Sequence, residues 1–293
     1  MELAEVATQD GLLLQGLVFE PGNAGAALIY VHGLGGDFYG SPKKVNAFAS
    51  ECLKRKIAFF IFNNRGSGLY SGVKKLDSKR PSGYRYVMAG KCFERFEDSI
   101  LDIGAVVAEA KRRGYSRIAL VGHSTGANKA VYYLSRKHDR AVKAAVLTGP
   151  VSDVPNIEAE AGRKYNALVK VAKRMVSGGK GDSLMSPKTP GWPISASRFL
   201  SLSVAGSAED VFQYHFEAPG YRALKRMRAP VLAILGEKDE YATMPPEKIL
   251  ASYKTQNPKL ETRIVRGALH SFAGMEKELA RIVCAWAQNK LNP

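Results

Sequence analysis

A serine hydroxyl becomes a nucleophile at neutral pH only with a base beside it and an acid behind that base, and this chain carries all three residue types in suitable surroundings. Ser124 lies in Gly122-His123-Ser124-Thr125-Gly126. The base must come from the histidines His32, His123, His138, His215 and His270. His123 belongs to the same turn as Ser124 and cannot easily fold back on it, while His138 closes a helix beside Lys137. His270, in Gly267-Ala268-Leu269-His270-Ser271-Phe272 between the last strand and the last helix, is the candidate. Its imidazole needs a carboxylate to fix the tautomer and to stabilise the imidazolium. Gly236-Glu237-Lys238-Asp239-Glu240 follows an apolar strand and supplies one. Asp239 is the choice, with Glu237, Glu240 and Asp153 open as alternatives.

The glycines have a physical role. A serine on a tight strand-to-helix turn adopts a strained backbone, and side chains two positions either side would collide with neighbouring elements. The same turn puts the Thr125 N–H at a helix N-terminus, where it can stabilise an oxyanion. A second donor is expected from His32-Gly33-Leu34-Gly35-Gly36, at the end of a neighbouring strand, with Leu34 N–H as the candidate. A phosphate-binding loop is the rival reading of these glycines, but the Lys-Ser/Thr ending is missing.

These loops need a scaffold. Residues 2–9 and 11–19, separated at Asp10-Gly11, read as an antiparallel hairpin. Short apolar runs at 26–31, 57–62, 118–121, 142–147, 230–235 and 262–265 read as buried strands. Amphipathic stretches from Ser41-Pro42, over about 92–113, after Ser124 and at the C-terminus read as helices. The alternation predicts an α/β fold with a mostly parallel twisted sheet and helices on both faces. Residues 1–150 and 226–293 form the expected core. Residues 151–225 break the alternation, and a structureless loop of that length is improbable, so they are read as a helical cap inserted into the core. Within it Trp192, Phe212 and Tyr214, with Phe199 and Phe216, are candidates for an apolar substrate pocket, to which His32 is added.

With 293 residues, 45% hydrophobic and 24% charged, the composition belongs to a folded globular protein rather than a disordered one. The formal charge of +16 raises the question of a polyanion partner. The runs 54–56 and 111–113 close predicted helices, where cations complement the helix dipole, so no nucleic-acid partner is expected. The three cysteines, Cys52, Cys92 and Cys284, are far apart and show no metal-ligand spacing. No disulfide, metal or cofactor is expected. The first residues are acidic, and no run approaches the ~20 apolar residues of a membrane span, so the expectation is a cytoplasmic protein without membrane association.

In their order, the segments HGLGG, NNRGSG, GHSTG, GEKDE and GALHSF resemble the α/β-hydrolase superfamily over nearly the whole chain. More narrowly, Phe93-Glu94-Arg95-Phe96-Glu97-Asp98 and Gly181-Asp182-Ser183-Leu184-Met185 look like a group of small serine hydrolases that includes fungal siderophore ester hydrolases. The resemblance implies hydrolysis of a small-molecule ester through an acyl-enzyme. A peptidase or acyltransferase would use the same three residues, and a binding protein on a hydrolase scaffold is the reading from another class.

Overall fold

A computed structural model of the chain describes residues 1–215 and 222–291. Its strands are β1 (Glu2–Ala7), β2 (Leu13–Phe19), β3 (Ala26–Val31), β4 (Ile57–Phe62), β5 (Ser71–Leu76), β6 (Tyr84–Ala89), β7 (Ile118–His123), β8 (Val142–Thr148), β9 (Val231–Gly236) and β10 (Glu261–Val265). Eight of them form one sheet in the order β1-β2-β4-β3-β7-β8-β9-β10. β2 runs antiparallel to β1 and β4, and every pair from β4 to β10 is parallel.

The burial of each strand follows from its sequence. β3, β4 and β9 are apolar at every position and buried at every position, as strands covered on both faces must be. β1 and β2, at the edge, alternate buried and more exposed residues. Gly11, at φ +86°, turns one into the other.

One face of the sheet carries α1 (Pro42–Lys54) and α9 (Glu276–Leu291), which bury Phe48, Cys52, Leu279 and Val283 against Leu28, Phe59 and Val146. The other face carries α2 (Ser99–Arg112), α3 (Thr125–Arg136) and α8 (Pro246–Gln256). Between β8 and β9 lie α4 (Val154–Ala161), α5 (Tyr165–Ser177), α6 (Ala196–Ser203) and α7 (Arg222–Arg226). α5 and α6 share a small apolar cluster with Met185 and Ile194, and Leu34 packs against it. Cys52 and Cys284 face each other across α1 and α9 with Sγ atoms 3.4 Å apart, unbridged. Among the described residues, no helix is long and apolar enough to cross a membrane.

Two elements differ from the sequence reading. The helix expected over 92–113 begins only at Ser99, because the Phe93 and Glu94 N–H groups both donate to the Gly90 carbonyl in a turn, and Glu94 points inward to ion-pair partners. The β5–β6 hairpin, a separate two-stranded sheet, went unread. Its strands bury only Ala89 fully, so no alternation of apolar residues marks them.

Candidate active site

The strand order reverses between β3 and β7, and the loops after β3, β7, β8, β9 and β10 gather at the carboxyl ends of the strands, where α/β sheets hold ligands. Val31 pairs with Gly122, so the 32–36 loop lies beside Ser124. Ser124 has φ 55° and ψ −129°, a conformation that costs a non-glycine residue on the order of 1–3 kcal/mol. The flanking glycines make it attainable. A Cβ on Gly122 would fall 2.3 Å from the Gly126 carbonyl oxygen, and one on Gly126 would fall 2.2 Å from that of Val31. Gly33 is equally constrained, since its Cβ would lie 2.8 Å from that of Ser124.

His270 follows β10, and its Nδ1 lies 2.9 Å and 3.0 Å from the two Asp239 carboxylate oxygens. Both residues are buried. Of the alternative acids, Glu240 accepts the His270 backbone N–H at 2.8 Å, Glu237 accepts that of Gly267 at 2.7 Å, and Asp153 lines the same cavity as His270 without a hydrogen bond to its ring among the described residues. A one-residue change of position in this turn therefore decides which carboxylate meets the ring. The imidazole is wedged between His123 and Tyr241, with ring centroids 5.2 Å and 4.8 Å away. Gly149, at φ +61°, passes beneath it, and a Cβ there would lie 2.8 Å from Cε1.

Ser124 and His270 line one cavity of about 580 Å³, together with His123, Leu34 and Trp192. No hydrogen bond joins Ser124 to His270 among the described residues; such contacts are often long until substrate is seated. Nor do the Leu34 and Thr125 backbone N–H groups have an acceptor among the described residues. His123 is held neutral: burial pushes its pKa well below the usual histidine value, and the Lys44 and His270 charges act the same way.

His32, expected as a pocket residue, does line the cavity, with both of its ring nitrogens spent on the protein. Nδ1–H donates to the Gly33 carbonyl and Nε2 accepts the Asn64 N–H, each at 2.9 Å. Burial, reinforced by the Lys129 ammonium, pushes its pKa down to about 4. The ring fixes the shape of the 32–36 loop. Phe212 and Tyr214 are corrections: both are buried in the core against Tyr253 rather than lining the cavity, because the chain there turns back onto α8. Phe199 is buried in the α5–α6 cluster, and Phe216 lies outside the described residues. Trp192 does line the cavity, with the Lys91 ammonium 4.3 Å from its ring centroid.

Sequence reasoning took Asp153 only as an alternative acid and missed the wall it belongs to. Asp153, Asn156, Ile157 and Glu160 line the cavity at i, i+3, i+4 and i+7, one face of α4 and the residue before it. Burial pushes the Asp153 carboxyl up to about 7, aided by Glu209 and Asp210 and opposed by Arg198 and His270. It also missed a buried chain of charges. Lys129 Nζ meets Glu94 at 2.5 Å, Arg198 meets Glu94 at 3.1 Å, and Arg198 also pairs with Glu209. Lys129 Nζ continues to Asn64 Oδ1 at 3.3 Å, and so to the His32 loop. Lys129 falls on the side of its helix opposite the Ala127-Ala130-Val131-Leu134 stripe and is buried because that helix is covered almost all round, so the sequence carried no signal for it. No group of three or more His, Cys, Asp or Glu side chains placed to hold a metal ion occurs among the described residues.

The sequence profile of the family described as "Protein of unknown function (DUF1749)" matches residues 99–287, more than half of the chain. The chain belongs to that family. No curated protein sequence matches it. Among solved structures it is similar to Est1E from Butyrivibrio proteoclasticus, solved with ferulic acid bound, at 16% identity and TM-score 0.69 over 99% of this chain and 100% of that one. It is also similar to a Pyrococcus furiosus esterase, at 17% identity and TM-score 0.62 over 99% and 91% of the two chains. Carboxylesterase CesB from Bacillus subtilis matches at 17% identity and TM-score 0.55 over 99% and 91%. At these identities the likeness establishes the fold, which is that of the α/β-hydrolases.

Proposed function

We propose that the chain is a serine hydrolase that cleaves a carboxylic ester, with Ser124 as nucleophile, His270 as general base and acid, and Asp239 as the carboxylate that orients it. The observation that carries this reading is the meeting of a strained Ser124 and His270 in one cavity while Asp239 holds the far nitrogen of the imidazole at 2.9 Å. Ser124 Oγ attacks the carbonyl and gives its proton to His270 Nε2. The Leu34 and Thr125 N–H groups take the oxyanion, and each such donor is worth about 2.7–4 kcal/mol of transition-state stabilisation. Collapse expels the alcohol, protonated by His270, and leaves an acyl-enzyme. Water deprotonated by the same nitrogen then releases the acid.

The α4–α7 segment acts as a cap over this site, supplying Trp192 and the Asp153–Glu160 face. Ester hydrolysis is favoured over amide cleavage or acyl transfer because the similar structures above are of esterases. The narrower resemblance, to small hydrolases that include fungal siderophore ester hydrolases, agrees with ester chemistry. The test is a series of p-nitrophenyl esters of graded acyl length on the parent and on Ser124→Ala, with fluorophosphonate labelling followed by mass spectrometry. Labelling at Ser124 is expected, and so is a fall in turnover of about 10⁴ or more with the melting curve unchanged. Full turnover by Ser124→Ala overturns the reading.

A further inference from the structure

Within the site proposed above, the charges lining the cavity are divided between two sides. β3 lies on one side of the β7 strand that leads to Ser124, and β8 lies on the other. The cations stand on the β3 side: Lys44 belongs to α1, and the Lys91 side chain packs on Gly35, where a Cβ would fall 2.8 Å from its Cδ. Asp37, on the same side, is spent on the Tyr39 and Gly40 N–H groups. The β8 side is the face of α4, and its free polar atoms are acceptors.

One of these acceptors has no account in the fold. Asp153 occupies the N-cap position of α4, where an aspartate ordinarily accepts an N–H of the first turn, yet its side chain makes no such bond. No hydrogen bond or ion pair reaches its carboxylate among the described residues, and the residue is only half-buried, so its oxygens are open to the cavity. Burial, with Glu209 and Asp210 nearby, makes its ionisation costly to the fold, and asparagine would fill nearly the same volume without that cost. Beside it, Asn156 Nδ2 is committed to the Ser152 and Tyr241 carbonyls at 3.4 Å and 2.9 Å, which leaves Oδ1 as its free atom. Glu160 continues the same face further along α4 and is exposed. A helix face with free side-chain acceptors and no free side-chain donor is suited to a ligand that brings donors, and a cationic one also offsets the carboxylate charge.

We infer that Asp153 is a specificity-determining residue of the ester site, and that the α4 face takes a protonated amine carried by the substrate, which donates to the Asp153 carboxylate with Asn156 Oδ1 as a second acceptor. The inference rests on the ester-hydrolase reading. The net charge of +16 acts against a cation at long range, so a preference for a cationic ester requires a local partner of this kind.

The experiment compares kcat/KM for two pairs in which a protonated dimethylamine replaces an isopropyl group of the same shape. The first is the ethyl esters of 4-(dimethylamino)butanoate and 5-methylhexanoate, which place the group on the acyl side. The second is the acetates of 2-(dimethylamino)ethanol and 3-methylbutan-1-ol, which place it on the alcohol side. At about pH 7.5 the amines are protonated and most of Asp153 is ionised. The parent is expected to prefer the cationic member of one pair by about tenfold or more, and Asp153→Asn to bring that ratio close to one. Asp153→Ser, which also lacks the charge, is expected to do the same. Thermal melting is expected to show Asp153→Asn no less stable than the parent. A parent without preference for the cation in either pair, or a preference that survives in Asp153→Asn, overturns the inference. So does a failure to turn over either pair while fluorophosphonate still labels Ser124. Those outcomes leave the nucleophile standing, whereas absence of turnover on every ester together with failure to label Ser124 removes both readings.

Discussion

Three histidines near the sheet's carboxyl edge show how environment separates roles among chemically identical side chains. His32 has both nitrogens bound to backbone and is kept uncharged by burial. His123 is kept uncharged as well, with Nδ1 against the Thr148 hydroxyl at 3.1 Å. His270 alone has a carboxylate on Nδ1, so it alone is fitted to take up a proton on the other nitrogen. Replacing Asp239 by Asn keeps the shape but favours the wrong tautomer. Steady-state assays on Asp239→Asn should show kcat down by about 10⁴ with the fold intact. Glu240→Gln, which touches only the His270 backbone, should change kcat far less. At this scale Ser124 and His270 were legible because a serine between glycines at a strand-to-helix turn, and a histidine after the last strand, are local patterns. Asp239 was legible only as one of four acids, since the fold of a single turn decides among them. Phe212 and Tyr214 misled because an aromatic residue in an irregular segment carries no periodicity to say which way it faces.

At the scale of elements, the face of α4 towards the cavity sets a measurable pH dependence. Asp153 titrates near 7 in the fold against 3.8 for an unperturbed aspartate. An acid whose folded pKa is raised binds its proton more tightly folded than unfolded, so ionisation weakens the fold. The penalty is absent below about pH 4, grows between there and about pH 7, and is constant above. Glu209 and Asp210 deepen it, while Arg198 and His270 relieve it. Asp153→Asn removes the ionisation. Its melting temperature should therefore exceed the parent's by a margin that widens from about pH 4 to about pH 7 and then levels off. A margin independent of pH would show that Asp153 does not titrate in this range. The strands of the central sheet were readable because β-branched and aromatic runs buried on both faces leave little else they can form. The β5–β6 hairpin and the late start of α2 were not, because each depends on contacts with distant parts of the chain.

For the whole molecule, the net charge of +16 is distributed in a way that limits its reach. Lys54 and Arg55 pair with Glu51 at the end of α1, and Arg112 and Arg113 pair with Glu109 at the end of α2, so two of the basic runs are met locally by acids. The charges that matter most to the fold are hidden. Lys129 on α3, Glu94 before α2, Arg198 on α6 and Glu209 form one connected buried series between the sheet domain and the segment inserted after β8. Removing one member strands the others: Arg198→Met should lose about 3–5 kcal/mol by urea unfolding, far more than a typical surface substitution. Nothing in the sequence marks these four as partners, because lysine, arginine and glutamate are ordinarily solvated and their encounter is a product of tertiary structure. Lifting the inserted segment away from α3 would break only the Arg198–Glu94 link of this series, since Lys129 would keep Glu94 and Arg198 would keep Glu209. That one link is hidden from solvent, so added salt should weaken the segment's attachment far less than it weakens the ion pairs on the surface.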